Sequence, residues 1–438
     1  MREIFSDRGR LQGMLDFEAA LACAEARAGV IPKAVALAIK AQCQAKLFDI
    51  EALARGAVLA GNTAIPMVKA LTALVEKRDK AAAGYVHWGA TSQDAMDTGL
   101  VLQLRRALDV VEAEVVRLSD ALARLAKKHK KTPMAGRTWL QQAVPVTFGV
   151  KAAGALSAME RHRARLRELR ARVLVIQFGG AAGTLASLGG RGLDVARALA
   201  AELKLGEADM PWHAHRDRIA EVATILGMLT GTLGKIARDL SLMMQTEIGE
   251  ALEPAAPGKG GSSTLPHKRN PVGAAVVLAA ATKVPALVSM MLSAMVQEHE
   301  RGFGNWHAEW ETLPEICMLS AGALAQVVQM IEGLEIDTAR MRDNLDATNG
   351  LILAEAVSAA LAPKLGREAA HGLIEQACRR AGAQNKPLRD IVAKDANARK
   401  HLSSSDLDRL FDPANYLGVA EQFVDRVLAA RSGRKKKS

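Results

Sequence analysis

Aromatic residues are scarce: they make up 3% of the 438 residues, and only two are tyrosines. Nucleic-acid grooves stack bases on aromatic rings inside a basic channel. No basic stripe here is interleaved with aromatics, so nucleic acid is not expected as a partner. Cysteine is scarce too. Cys23, Cys43, Cys317 and Cys378 lie far apart, without a CxxC pair or a histidine at ligand spacing. That excludes a zinc ribbon and a disulfide framework, and it leaves reduced, mostly buried thiols. Apolar runs are short, none reaching the roughly 18 uninterrupted residues of a membrane span. Met1 to Arg10 is polar and charged, unlike a signal peptide. A cytoplasmic protein without a membrane partner is expected.

What is abundant is alanine, leucine, arginine, methionine and glutamate, all strong helix formers. Hydrophobic residues make up 49% of the chain and charged ones 24%. Apolar positions at helical spacing cover 11–29, stopped by Gly29 and Pro32, and further helices reach about residue 80. Long amphipathic helices are expected at about 95–130, 146–174, 215–248, 271–297 and 308–335. In the first, Leu100, Leu104, Leu108, Val111, Val115 and Leu118 share a face. In the third, Ile219, Val222, Leu226, Leu229, Leu233, Ile236 and Leu240 do. Such helices are roughly 40–50 Å long, which calls for an elongated bundle. Their apolar arcs are too broad for one partner face and point to self-association.

Shorter helices follow from about 355 to 430. The glycine-rich segment 178–190 has no G-x-G-x-x-G or Walker spacing and reads as a bend between bundle helices. His213 and His215, beyond it, read as capping or surface residues. The expected fold is all-α in three parts. Residues 1–94 form an N-terminal helical domain, 95–350 a central long-helix bundle carrying a mobile loop at 255–271, and 351–438 a small C-terminal domain with a basic, disordered tail. The formal charge is +11. Four of those charges sit in the terminal RKKK, and the rest are dispersed beside acids. A basic balance also suits a polyanionic small substrate.

One stretch breaks the helical pattern: GKGGSSTLPHKRNPVG, residues 258–273. Gly258, Gly260 and Gly261 permit unusual backbone angles. Ser262 and Ser263 supply hydroxyls, Lys268 and Arg269 supply charge, and Pro271 suits the first turn of the next helix. GSSTLPHKRNP closely resembles the G-S-S-x-M-P-x-K-x-N-P signature of the fumarase/aspartase superfamily, with Leu265 where methionine is usual. GYVHWGATSQDAMDTG (84–99) and AGRTWLQQAVPVTFG (135–149) resemble its other two regions in order and spacing. The resemblance spans essentially the whole chain.

The resemblance implies a small N-terminal domain, a five-helix central bundle and a small C-terminal domain. Four chains would assemble into a homotetramer with a twenty-helix core, and each active site would draw its three regions from three subunits. It implies no cofactor and no metal. It makes Ser263 the base, which needs activation because a free serine hydroxyl is a poor one. Backbone amides of the glycine-rich loop and the charge of Lys268 are candidate activators. Thr91, Ser92, Gln93 and Asn270 would bind the carboxylates and stabilise the dianion formed next to one of them. Arg301, in QEHERGFGNWHAEWETLPE (297–315), is the candidate for bidentate carboxylate binding, with Asn305, Trp306 and His307 near it in sequence. Arg8, His87 and Ser262 are further substrate-binding candidates. His267 either orients the loop or stays solvated.

Departures from the pattern choose among reactions. Adenylosuccinate lyases carry a histidine after GRT, assisted by a glutamate just inside the helix after the signature. The matching positions here are Trp139 and Ala275. Expelling an amine benefits from a general acid by about 10²–10⁴-fold. A carboxylate leaving group, whose conjugate acid has a pKa near ~4, needs none. The resemblance therefore favours the branch that closes a lactone on a tricarboxylic muconate in protocatechuate breakdown. The alternative is a fumarate-releasing lyase acting on an N-substituted aspartate such as adenylosuccinate or argininosuccinate.

Overall fold

Ser6 opens the first helix by accepting the amide of Gly9 at 3.1 Å, a cap for one of the free N–H groups that every helix start exposes. The computed structural model describes residues 1–435 except 256, 257, 259 and 263. Helices α1 (Asp7–Arg27), α2 (Lys33–Gln42), α3 (Ile50–Ala60), α4 (Ala64–Glu76) and α5 (Lys80–Ala83) precede the long α6 (Ser92–Lys128). A hairpin of β1 (Pro133–Thr138) and β2 (Gln141–Thr147) leads into α7 (Phe148–Val173). Then come α8 (Gly192–Leu203), α9 (Asp217–Met243), β3 (Ala251–Leu252), α10 (Val272–Ser293), α11 (Asn305–Glu332) and β4 (Glu335–Ile336). Helices α12 (Thr338–Asp346), α13 (Ala354–Leu365), α14 (Arg367–Gln384), α15 (Leu388–Lys394), α16 (Ala396–Arg399), α17 (Ser404–Leu410) and α18 (Ala420–Lys435) complete the order. The protein is all-α, with two small antiparallel pairs among the described residues, β1–β2 and β3–β4.

The five long helices lie where the periodicity places them, and every predicted apolar position of α9 from Ile219 to Leu240 is buried. Two compact units are present. The first comprises 1–115, 162–233 and 279–325, and the second 116–161, 234–278 and 326–438. In the first, Leu15, Phe17 and Leu21 of α1 pack with Ile39 of α2, Met67 and Leu71 of α4, and Val195 and Leu199 of α8. Helix α8 is a departure from the expected bend. The helix opens at Gly192, just past the 178–190 segment, and its amphipathic turns close the core over α1. Gly13 and Gly99 let α1 and α6 approach backbone to backbone: a Cβ on Gly13 would stand 2.8 Å from the carbonyl oxygen of Gly99. In the second unit, Val357, Leu361, Ile374, Leu388 and Val392 form a separate core.

The β1–β2 hairpin was not legible in the sequence. Its two-residue loop is Trp139-Leu140, both left-handed at φ 53° and 65°, where hairpins ordinarily place Asn-Gly.

Candidate active site

Helix α6 begins at the Thr-Ser-Gln segment. Thr91 donates its backbone amide to Asp94 Oδ2 at 3.0 Å, one half of a capping box. Asp94 is completely buried and gathers more donors. Oδ1 accepts from the amide of Gly179 (3.1 Å) and from Gln177 Nε2 (3.3 Å) and faces His213 Nε2 at 2.7 Å; Oδ2 takes the amide of Gly180 at 2.9 Å. This corrects the reading of His213 as a capping or surface residue: it is buried at 2% exposure. The glycine-rich turn that brings it to Asp94 has no local sequence signature. His215 is exposed, as expected.

Arg301 reaches the same segment. Its Nη1 donates to Thr91 Oγ1 at 2.8 Å, Nη2 to Ser92 Oγ at 3.3 Å and Nε to Gln93 Oε1 at 3.3 Å. The rival partners Glu298 and Glu300 form no ion pair with it among the described residues; Glu298 instead accepts the amide of Phe303 at 2.7 Å. The guanidinium therefore lies beside the α6 N-terminus with only neutral acceptors, leaving its charge available to an anion. Its loop is tethered by Gln297, which donates to Glu309 Oε1 at 3.1 Å. Gln93 is itself fixed, its Nε2 donating to His213 O at 2.8 Å.

Behind this cluster lies a network that sequence reasoning missed. Arg216 is buried and bonds both Asp97 (2.7 and 3.0 Å) and Glu309 (2.6 Å), while Trp306 Nε1 donates to Asp97 at 3.3 Å. Burial lowers the Arg216 pKa, but the two carboxylates more than offset it and hold the guanidinium charged. Burial raises that of Glu309. Asp97 lies four residues after Gln93 on a buried helix face, where a charge must be paired. That was the available signal.

His87 sits in the loop before Thr91 at φ 60°, with Nδ1 2.6 Å from Oε1 of the buried Glu18. Arg8 is exposed in the first turn of α1 and forms no hydrogen bond or ion pair among the described residues. Nothing links it to the Arg301 cluster.

The signature loop belongs to the second unit. Ser263 lies outside the described residues. Ser262 Oγ accepts the amides of Thr264 (3.3 Å) and Leu265 (3.0 Å). Lys268 and His267 are exposed, and Asn270 donates its amide to Gly260 O at 2.9 Å. Arg269, by contrast, is a tether: it holds Glu335 through two 2.9 Å bonds and Glu253 O at 2.6 Å. Glu253 caps α10, its carboxylate accepting the amides of Gly273 (3.0 Å) and Ala274 (2.8 Å). Ala275 follows in that first turn. At the hairpin, Arg137 binds Glu250 at 2.8 and 2.7 Å, and Trp139 at the tip is 98% exposed. Gln142 donates to Asn344 O at 3.0 Å.

An all-α chain with a serine-glycine loop before one long helix and a Thr-Ser-Gln helix start facing an arginine defines a carboxylate-handling lyase. The lyase family matches residues 1–286 and the adenylosuccinate lyase C-terminus matches 350–427. The chain belongs to the lyase family, within the fumarase/aspartase superfamily. It is 61% identical over 429 residues to a 3-carboxy-cis,cis-muconate cycloisomerase of Pseudomonas aeruginosa, covering 98% of this chain and 94% of that one. It is 50% identical over 436 residues to the enzyme of the same name from Acinetobacter baylyi, covering 99% and 97%. The solved 3-carboxy-cis,cis-muconate lactonizing enzyme from Pseudomonas putida superposes with a TM-score of 0.94 at 57% identity, covering 98% of this chain and 96% of that one.

Proposed function

We propose that this chain converts 3-carboxy-cis,cis-muconate to 4-carboxymuconolactone in protocatechuate breakdown, without a cofactor. The observation that carries the reading is Trp139 and Ala275 standing where related amine-expelling lyases keep their acid pair. Ring closure forms a C–O bond from a substrate carboxylate to the double bond, and the Ser263 hydroxyl delivers a proton to the adjacent carbon. Nothing leaves, and in reverse the leaving group is a carboxylate that needs no proton. Arg301 binds one carboxylate. Thr91, Ser92, Gln93, Asn270 and Lys268 stabilise the dianionic intermediate, with Ser262 and Arg8 as further substrate contacts. The names of the similar enzymes support the same substrate.

The assembly we propose is a cytoplasmic homotetramer whose active sites each combine three subunits, with domains 1–94, 95–350 and 351–438. Support comes from α10, where Val276, Met290 and Leu292 are exposed apolar residues on a helix of the expected bundle. The test is the ultraviolet absorbance of 3-carboxymuconate. Decay with the wild type and its loss in Ser263→Ala is the expected result, and no decay with either refutes the reading. Fumarate release from a panel of N-substituted aspartates would favour the lyase alternative.

A further inference from the structure

We infer that Glu18 is a positioning residue for the site: its carboxylate fixes His87 as a doubly protonated imidazole, whose Nε2–H is left as a donor for a substrate carboxylate. The inference rests on the tricarboxylate reading above. Its geometry is local. Glu18 is fully buried on α1, and its Oε1 stands 2.6 Å from His87 Nδ1. A carboxylate can only accept, so Nδ1 carries a proton. Nε2 has no partner among the described residues, and the side chain is 15% exposed. His87 also holds φ at 60°, a region disfavoured for residues with a Cβ. The Glu18 bond steadies the ring in that conformation, four residues before the carboxylate-binding Thr91.

The charges around the ring agree. Burial alone would favour the neutral imidazole, but the charge and hydrogen bond of Glu18, with Asp94 on α6, outweigh it and raise the His87 pKa. Glu25, the other buried acid of α1, is pushed up to about 9 by burial and by Glu18, so it is uncharged at neutral pH. The Cys43 thiol near Glu18 is raised by burial and is neutral as well. The charge of Asp94 is shared with His213 and backbone amides. Arg301 is the cation bound to residues 91–93. Neutral His87 would present a bare Nε2 lone pair to a carboxylate, whereas the imidazolium presents a donor.

Histidine-labelled NMR titration of the full chain, assigned with His87→Gln, tests the dyad directly. The wild-type ring should stay charged above the usual histidine range, and Glu18→Gln should lower its midpoint by about 1–3 pH units. The alkaline limb of kcat/KM for 3-carboxymuconate should move down with it, KM rising more than kcat falls, and Glu18→Asp should recover part of both. A wild-type ring titrating in or below the usual range overturns the inference even if Glu18→Gln does not fold. So does an unmoved midpoint in Glu18→Gln. A lowered midpoint with an unmoved alkaline limb overturns the link to substrate. A wild type with the raised midpoint but no turnover of 3-carboxymuconate refutes the functional reading instead, because the titration needs no substrate.

Discussion

Arg301 directs its planar fork at three neutral oxygens, Thr91 Oγ1, Ser92 Oγ and Gln93 Oε1. A lysine ammonium cannot hold that geometry. Arg301→Lys should therefore cost about 10–100-fold in kcat/KM, chiefly through KM, measured by steady-state kinetics on 3-carboxymuconate. Glu25 sets a different dependence. It is buried on α1 with neither carboxyl oxygen hydrogen-bonded, and its pKa is raised to about 9. A group whose folded pKa lies above its unfolded one stabilises the fold at low pH, and that contribution fades as pH rises through the folded value. His87, also raised, acts in the same direction. Stability should thus decline from pH ~5 toward pH ~9, and Glu25→Gln should flatten the decline and lift Tm at pH ~8 by about 2–4 °C in differential scanning calorimetry. At this scale the string Thr91-Ser92-Gln93 and Arg301 were each legible. His213 and Arg216 were not, because their partners lie 119 residues away in Asp94 and Asp97.

At the scale of elements, α1, which carries Glu18, crosses α6. Gly13 lies against Gly99 there, with 3.0 Å between a Cβ on Gly99 and the backbone of Gly13 and Met14. Gly99→Ala should therefore destabilise by about 1–3 kcal/mol, read as a lower denaturant midpoint, since only backbone movement can relieve the overlap. The helices themselves were legible because a buried stripe must repeat every three to four residues. Helix α8 and the β1–β2 hairpin escaped notice for separate reasons. One followed a glycine-rich segment that suggested only a bend. The other turns on Trp139 and Leu140, which carry no turn signal and hold left-handed angles by virtue of the strands on either side.

On the scale of the whole molecule, α9, α10 and α11 are each long and apolar enough to cross a membrane by length and composition. They differ in what covers them. The most apolar stretch of α9 is 61% buried and that of α11 56%, but that of α10 only 22%. We expect the exposed face of α10 to be covered by other copies of the chain. The double substitution Val276→Glu and Met290→Glu should reduce the sedimenting species from about four times 46.6 kDa to smaller forms and abolish turnover together with assembly.

By itself the sequence determined the helical class, the five long helices and the residues of the serine loop. Helical periodicity and contiguous strings are local properties, and each leaves its own mark on the chain. Tertiary structure alone decided that Arg301 meets Thr91, Ser92 and Gln93, and that Arg269 is a tether while Lys268 has no side-chain partner among the described residues. It also decided that Glu18 pairs with His87 and His213 with Asp94. Most of those are pairings of buried or half-buried polar groups across long sequence separations. They are enforced by the cost of leaving such groups unpaired, which no local pattern records.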